Sequence, residues 1–242
     1  MDKTLVACET IEDEVKAALA DSGLDLPIVW LEGGLHNSPE RLRARVQEIL
    51  DSVRCQRLII CLGYCGGGLS GLFTRSYETV LPLADDCLSL MLGSMEARRL
   101  ASRPVTYFLT AGWLRHENSL VTSYDQAVEK YGRRQAERIN RLLLRHYHRI
   151  GLVRTGCYDL CQTAERVRPL ADLIGLTVES LPGDLDWLKT LLTGPYDDRS
   201  RYLVVGPDSA ITFDHWCPLL MGGDPSAAPG PPQALDHITA AS

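Results

Sequence analysis

Residues 57–68 read Arg57-Leu58-Ile59-Ile60-Cys61-Leu62-Gly63-Tyr64-Cys65-Gly66-Gly67-Gly68. After Arg57 the first half is apolar at every position, as a strand covered on both faces of a parallel sheet must be. The second half opens a loop with five glycines among residues 63–71. In open parallel sheets, ligands bind along the edge where the strands end. This junction therefore predicts both the fold class and the edge on which a site would lie.

On the N-terminal side, Thr4–Cys8 and Pro27–Leu31 read as two further strands. A helical stripe of Val15, Ala18 and Leu19 lies between them. Ser38-Pro39-Glu40-Arg41 reads as N-cap, proline at the first helical position and an acidic first turn. That helix runs to about Val53. On the C-terminal side come a strand at Thr79–Leu83, a helix over 86–101 and a strand at Pro104–Thr110. Residues 124–148 give one long helix or two shorter ones. Three more strands follow at Ile150–Thr155, Leu176–Leu181 and Tyr202–Gly206, separated by helices over 159–174 and 184–192. From Met221 the chain is rich in Pro, Ala, Gly and Ser, which predicts a disordered tail.

The strand–helix alternation predicts an α/β fold of Rossmann-like βαβ units with parallel sheets and right-handed crossovers. Weak internal similarity suggests two lobes around a cleft. Thr4–Ala7 resembles Gly151–Arg154, Leu31–His36 resembles Leu181–Asp186, and Arg57–Ile60 resembles Arg201–Val205. The expected organisation is a first lobe over 1–120, a connecting helical segment over 121–149, a second lobe over 150–220 and the tail over 221–242.

The 242 residues carry 25 Lys+Arg against 31 Asp+Glu, a net charge of −6, with 45% hydrophobic and 23% charged residues. These are globular proportions. The acidic balance, with a pI near 5.5, argues against a nucleic-acid partner. No apolar run is long enough for a membrane span, and the first residues lack the pattern of a signal peptide. The expected location is the cytoplasm, where the eight cysteines would be thiols or ligands rather than disulfides.

Four residues fall at strand ends. Cys8 ends the first strand, His36 follows the second, Cys65 the third and Cys87 the fourth. Thiolate and imidazole together suit zinc or an iron–sulfur cluster, so Cys8, His36, Cys65 and Cys87 form the candidate metal set. No Cys-x-x-Cys knuckle supports it; the support is topological, and buried core thiols are the plain alternative. Gly63, Gly66, Gly67 and Gly68 would let backbone amides approach a cofactor. Glu9 and Cys65 are the candidate catalytic residues, Glu9 as acid or base and Cys65 as nucleophile. Asp85 and Asp86 precede Cys87 and admit the same acid–base or helix-capping readings as Glu9. Tyr107, Thr110, Gly112 and Trp113 close the fifth strand and could wall a pocket. Cys55 and Cys61 read as packing, and Cys157 and Cys161 as a structural pair or a second half-site.

Taken together, Ala7-Cys8-Glu9, Gly34-Leu35-His36-Asn37, Gly63-Tyr64-Cys65-Gly66, Asp86-Cys87, Gly93-Ser94, Thr110-Ala111-Gly112-Trp113 and Tyr131-Gly132 resemble the bacterial and archaeal domain-of-unknown-function family 1638. The resemblance spans about residues 4–210. One departure is that the family's loop usually places one or two residues between Gly-Tyr and Cys-Gly, whereas here Cys65 follows Tyr64 directly. The resemblance implies a companion of corrinoid-dependent methyltransferase systems. This chain lacks the Asp-x-His-x-x-Gly loop of base-off cobalamin binding, so it would act beside a corrinoid protein or methyltransferase rather than carry the corrinoid. The resulting expectation is a metal- or iron–sulfur-binding protein of methyl-transfer and one-carbon metabolism. Two alternatives stand beside it: a non-catalytic partner-binding or maturation module, and a metal-free thiol enzyme using Cys65 and His36.

Overall fold

The structure is a computed structural model that describes residues 2–217; the tail expected over 221–242 lies outside these residues. Strand β1 (Lys3–Cys8) leads through a 3-10 turn (Glu9–Ile11) into α1 (Glu12–Asp21). Then come β2 (Ile28–Leu31), α2 (Pro39–Ser52), β3 (Arg57–Cys61), the short β4 (Leu72–Phe73) and β5 (Glu78–Pro82). Helices α3 (Cys87–Met91) and α4 (Met95–Ala101) precede β6 (Thr106–Leu109). Helices α5 (Ala111–Arg115), α6 (Leu120–Tyr131) and α7 (Arg133–Leu143) lead to β7 (Arg149–Arg154). The chain continues with α8 (Leu160–Ile174), β8 (Thr177–Pro182), α9 (Asp186–Thr193), β9 (Tyr202–Val205) and β10 (Ala210–Ile211).

The expected α/β architecture with parallel sheets is present. A five-stranded sheet has the order β2-β1-β3-β5-β9, and a three-stranded sheet the order β6-β7-β8. All pairings are parallel except β5 with β9, which is antiparallel. β4 and β10 form a separate antiparallel pair. Glycine sets two of the helix breaks. Gly93 (φ 82°) divides the segment read as one helix over 86–101, and Gly132 (φ 77°) divides the segment over 124–148. Left-handed φ is the conformation glycine adopts without steric cost. Side chains of Asp86, Ser94, Thr110, Ser119 and Asp159 cap the helices that follow them; a cap of this kind contributes about 1 kcal/mol. Ser38 holds the N-cap position of α2 with Pro39 behind it, but its side chain makes no capping bond.

Two strands depart from the expected lobes. β6, placed by its sequence position within 1–120, pairs with β7. The helices between them form the crossover that a parallel pair requires. β9, placed within 150–220, returns antiparallel to β5. Its side chains divide between two cores: Val204 packs with the α1–α9 layer and Leu203 with the α2 layer. The internal similarity therefore extends to the first two correspondences, since β1 and β7 are each the central strand of a parallel triple. It fails at the third, because β3 is an internal parallel strand and β9 an antiparallel edge strand.

Period-two alternation explains the cores. Leu5 and Ala7 of β1 and Ile59 of β3 face α1 and α9, whereas Val6, Leu58 and Ile60 face α2. The α1–α9 layer also takes Phe108, Val153 and Leu181 from the second sheet. The opposite face of that sheet packs Leu109, Ile150 and Leu152 against Val167 and Leu170 of α8. The two sheets thus share one apolar layer.

Within that layer lies a carboxyl. Glu14 of α1 is 0% exposed. Its Oε1 accepts a hydrogen bond from Thr155 Oγ1 at 2.9 Å, and its Oε2 has no partner. Burial raises the Glu14 pKa above the usual 4.5, against smaller opposing effects of Thr155 and Arg115. The folded chain then holds a proton that the unfolded chain releases at lower pH. Stability attributable to this group is full at low pH and is lost as pH rises through the raised folded value. As pH rises above the ordinary carboxyl value of 4.5, the unfolding midpoint of the wild type should fall relative to that of Glu14→Gln. Parallel denaturant profiles over that rise would count against a protonated Glu14.

Candidate functional site

The parallel order of β1, β2, β3 and β5 turns their C-terminal ends to one edge. Cys8 closes β1, and Thr10 Oγ1 donates to its Sγ at 3.1 Å. His36 stands in a 3-10 turn, Leu35–Asn37, entered through Gly34 at φ 82°. Cys87 is the first residue of α3, behind the Asp86 cap. Cys65 adopts φ 46°, a left-handed conformation uncommon outside glycine that concentrates at functional sites. Two backbone bonds hold it: Tyr64 N–H donates to Ala84 O at 2.7 Å and Cys65 N–H to Asp85 O at 2.8 Å.

These four side chains line one cavity of 440 Å³, together with Thr10, Glu32, Asp85, Asp86, Leu88 and Trp113 among others. The carboxylates Glu32, Asp85 and Asp86 are in this wall, and no Lys or Arg is among its described lining residues. Asp86 is fixed by Arg98, whose Nε and Nη2 reach Oδ2 at 3.0 and 2.9 Å. The Arg98 guanidinium lies 4.4 Å from the centre of the Phe108 ring, a cation–π arrangement that ties this loop to the second sheet. Asp85 accepts from the Asp86 N–H at 2.8 Å and from the Ser89 hydroxyl.

Burial governs the electrostatics. It raises the Cys8 thiol pKa and, with Asp86 and Cys8 beside it, pushes Cys65 up to about 12. Cys87 is raised well above its ordinary value by burial, then by Cys65 and Asp86. The His36 imidazole is lowered by burial. At neutral pH the site therefore holds protonated thiols and a neutral ring. A cysteine nucleophile activated by histidine needs the reverse, a depressed thiol beside an imidazolium. Among the described residues, no group of three or more His, Cys, Asp and Glu side chains stands at metal-ligand spacing.

The other predicted site residues separate. Gly66 lines the cavity. Gly63 shapes it from behind, because a Cβ there would fall 2.5 Å from the Asp86 Cα. Gly67 is buried and its carbonyl accepts from Arg43 at 3.0 Å, and Gly68 packs against Leu42. Glu9 does not join Cys65. Its Oε2 accepts from the Gly33 N–H at 3.3 Å, and it lines a neighbouring polar cleft of 970 Å³. Cys61 is core. Cys157, whose thiol donates to Thr155 O at 3.7 Å, and Cys161 lie at the head of α8 and line none of these spaces.

Two residues enter without having been singled out. Thr10 lines the cavity, the cleft and a third pocket between them. His116 lies so close over Gly33 that a Cβ there would be 2.2 Å from its Cδ2. Its signal in the sequence is position alone, since it follows the fifth strand at the same edge.

Fold and cavity define an α/β protein with a thiol- and imidazole-lined cavity where its parallel strands end. Over residues 30–192 the chain matches the model of the family described as protein of unknown function (DUF1638), and it belongs to that family. No curated protein and no solved structure matches it. None of the described helices is long and apolar enough to cross a membrane.

The burial of the site thiols has a direct chemical consequence. In the folded protein, Cys65 and Cys87 should react with iodoacetamide roughly tenfold or more slowly than the exposed Cys161, as read by peptide mass spectrometry over time. Equal rates would show that the cavity is open and its thiols ionised.

Proposed function

We propose that the protein holds a soft metal centre, a zinc ion or an iron–sulfur cluster, on Cys8, His36, Cys65 and Cys87. The observation that carries this reading is the meeting of three thiols and an imidazole, from four separate loops, on one cavity wall. The donor chemistry fits: soft sulfur with one nitrogen is the set that zinc and iron–sulfur clusters take. Glu32, Asp85 and Asp86 share the wall, with Asp86 paired to Arg98 and Glu32 to Arg45 behind it. A cation would favour the thiolates that burial now disfavours, so metal uptake would release protons.

Zinc held by three of these four would keep an open position and would activate a thiol or water there, whereas a centre held by all four would be closed, structural for zinc or electron-transferring for a cluster. Around it, Thr10 would hold Cys8 by its hydrogen bond, Arg98 would hold Asp86 and so the Cys87 turn, and Leu88 and Trp113 would limit water. The family resemblance supplies the setting, methyl-transfer or one-carbon metabolism beside a corrinoid protein or methyltransferase. The opposite shifts of Cys65 and His36 weigh against the metal-free thiol enzyme.

Metal and acid-labile sulfide measured on anaerobically purified full-length protein test this. The expected result is about one zinc ion or one cluster per chain, lost in Cys65→Ser while its circular dichroism stays that of the wild type. Folded wild-type protein free of both would overturn the reading.

A further inference from the structure

Beside the thiol cavity lies a pocket of 360 Å³ that shares His36, Leu88, Thr10 and Trp113 with it. Its far wall comes from the second sheet and the turn before β7, and includes Tyr107 and Tyr147, whose rings meet edge to face at 5.2 Å. The rest of its polar lining is donor-rich. No Asp or Glu is among the described residues that line it, whereas Arg98, His36 and His116 are. His116 is the best placed of these. Its Nδ1 accepts the Asn118 N–H at 3.1 Å, which leaves Nε2 as the donor nitrogen of a ring that lines both this pocket and the polar cleft. Its ring is held in place by close packing over Gly33 and Gly34.

An apolar, partly aromatic pocket with a few convergent polar groups is the usual form of a small-molecule site. Here the Arg98 guanidinium is committed to Asp86 and Ser102 and His116 supplies the donor, so a cationic ligand would find no counter-charge and an acceptor-bearing one would find a hydrogen bond. We propose that this pocket is the substrate subsite of the neighbouring centre, and that it takes a small organic anion. The anionic oxygens accept from His116, and the apolar body rests against Trp113 and the two tyrosines. The inference rests on the metal reading for what happens next door, but the pocket itself is tested separately. His116 then acts as a binding residue supplied from the end of α5, behind the second sheet's β6, whereas His36 forms the wall common to both spaces.

The probe is benzoate, with benzylamine as the cationic control of like shape, titrated calorimetrically into full-length protein as purified and after chelation. Benzoate is expected to bind at millimolar or lower concentration and benzylamine at least about tenfold more weakly. A hydrogen bond to a charged group accounts for a change of that size. His116→Phe should weaken benzoate by at least about tenfold, and His116→Asn, which keeps a donor, should recover part of the loss. Where His116→Phe fails to fold, Tyr147→Leu on the opposite wall should weaken benzoate in its place. Benzylamine binding as tightly as benzoate, benzoate indifferent to these variants, or no benzoate binding at all would overturn the proposal. Metal content read on the same samples separates the two readings. Metal retained without benzoate binding removes the pocket alone, and His116-dependent benzoate binding in metal-free protein supports the pocket without the centre.

Discussion

Gly63 meets the backbone of Asp86 so closely that a Cβ at 63 would overlap it, 2.5 to 2.6 Å from three main-chain atoms. Everything at the candidate site depends on this approach. The bonds from Tyr64 to Ala84 and from Cys65 to Asp85 run beyond the β3–β5 ladder, so two loops that would otherwise diverge stay joined past the ends of their strands. Cys65 and Cys87 are carried on the two sides of that junction. Arg98 then anchors Asp86 and reaches across to Phe108, which extends the same constraint into the second sheet.

The second link between the sheets is equally close. A Cβ on Gly112 would lie 2.2 Å from Thr10 O, and the Thr110 hydroxyl donates to that same oxygen at 3.4 Å. Thr10 is therefore pinned from the second sheet while its own hydroxyl reaches Cys8 Sγ. The shared apolar layer beneath makes the arrangement stiff, because close-packed interiors transmit small displacements rather than absorb them. The site is assembled from loops, yet each loop is tied down at its backbone.

Much of this was legible in the residues. The apolar run 58–62 is covered on both faces, and the parallel order follows from the strand–helix alternation. Once the strands are parallel, Cys8, His36, Cys65 and Cys87 must share an edge. What was not legible depended on contacts distant in sequence. The place of β9 is decided by how its two faces divide between two cores, which no local pattern records. Glu9 follows Cys8 directly, but the chain enters a 3-10 turn there, and the Glu9 carboxylate goes to Gly33 instead of the cavity. Gly67 and Gly68 share the loop of Cys65, yet their conformations serve packing against Arg43 and Leu42. His116 owes its position to Gly33 and Gly34, a contact that only the folded chain creates.

Electrostatics divides the two adjoining spaces more sharply than shape does. The thiol cavity has carboxylates in its wall and no Lys or Arg among its described lining residues. The pocket beside it has Arg98 and two histidines with no carboxylate among its own. On the two proposals together, a cation would lie on one side of His36 and Trp113 and an acceptor-bearing anion on the other. Asp86 and Arg98 stand at the boundary as a bonded pair, in which each charge is offset by the other. This follows from topology: strand ends of the first sheet bring the soft donors, and the second sheet, joined at Thr10 and Arg98, brings the aromatic wall. An ion on the first side would lie next to a bound oxyanion on the second, so occupancy of each space would strengthen the other through a medium less polar than water.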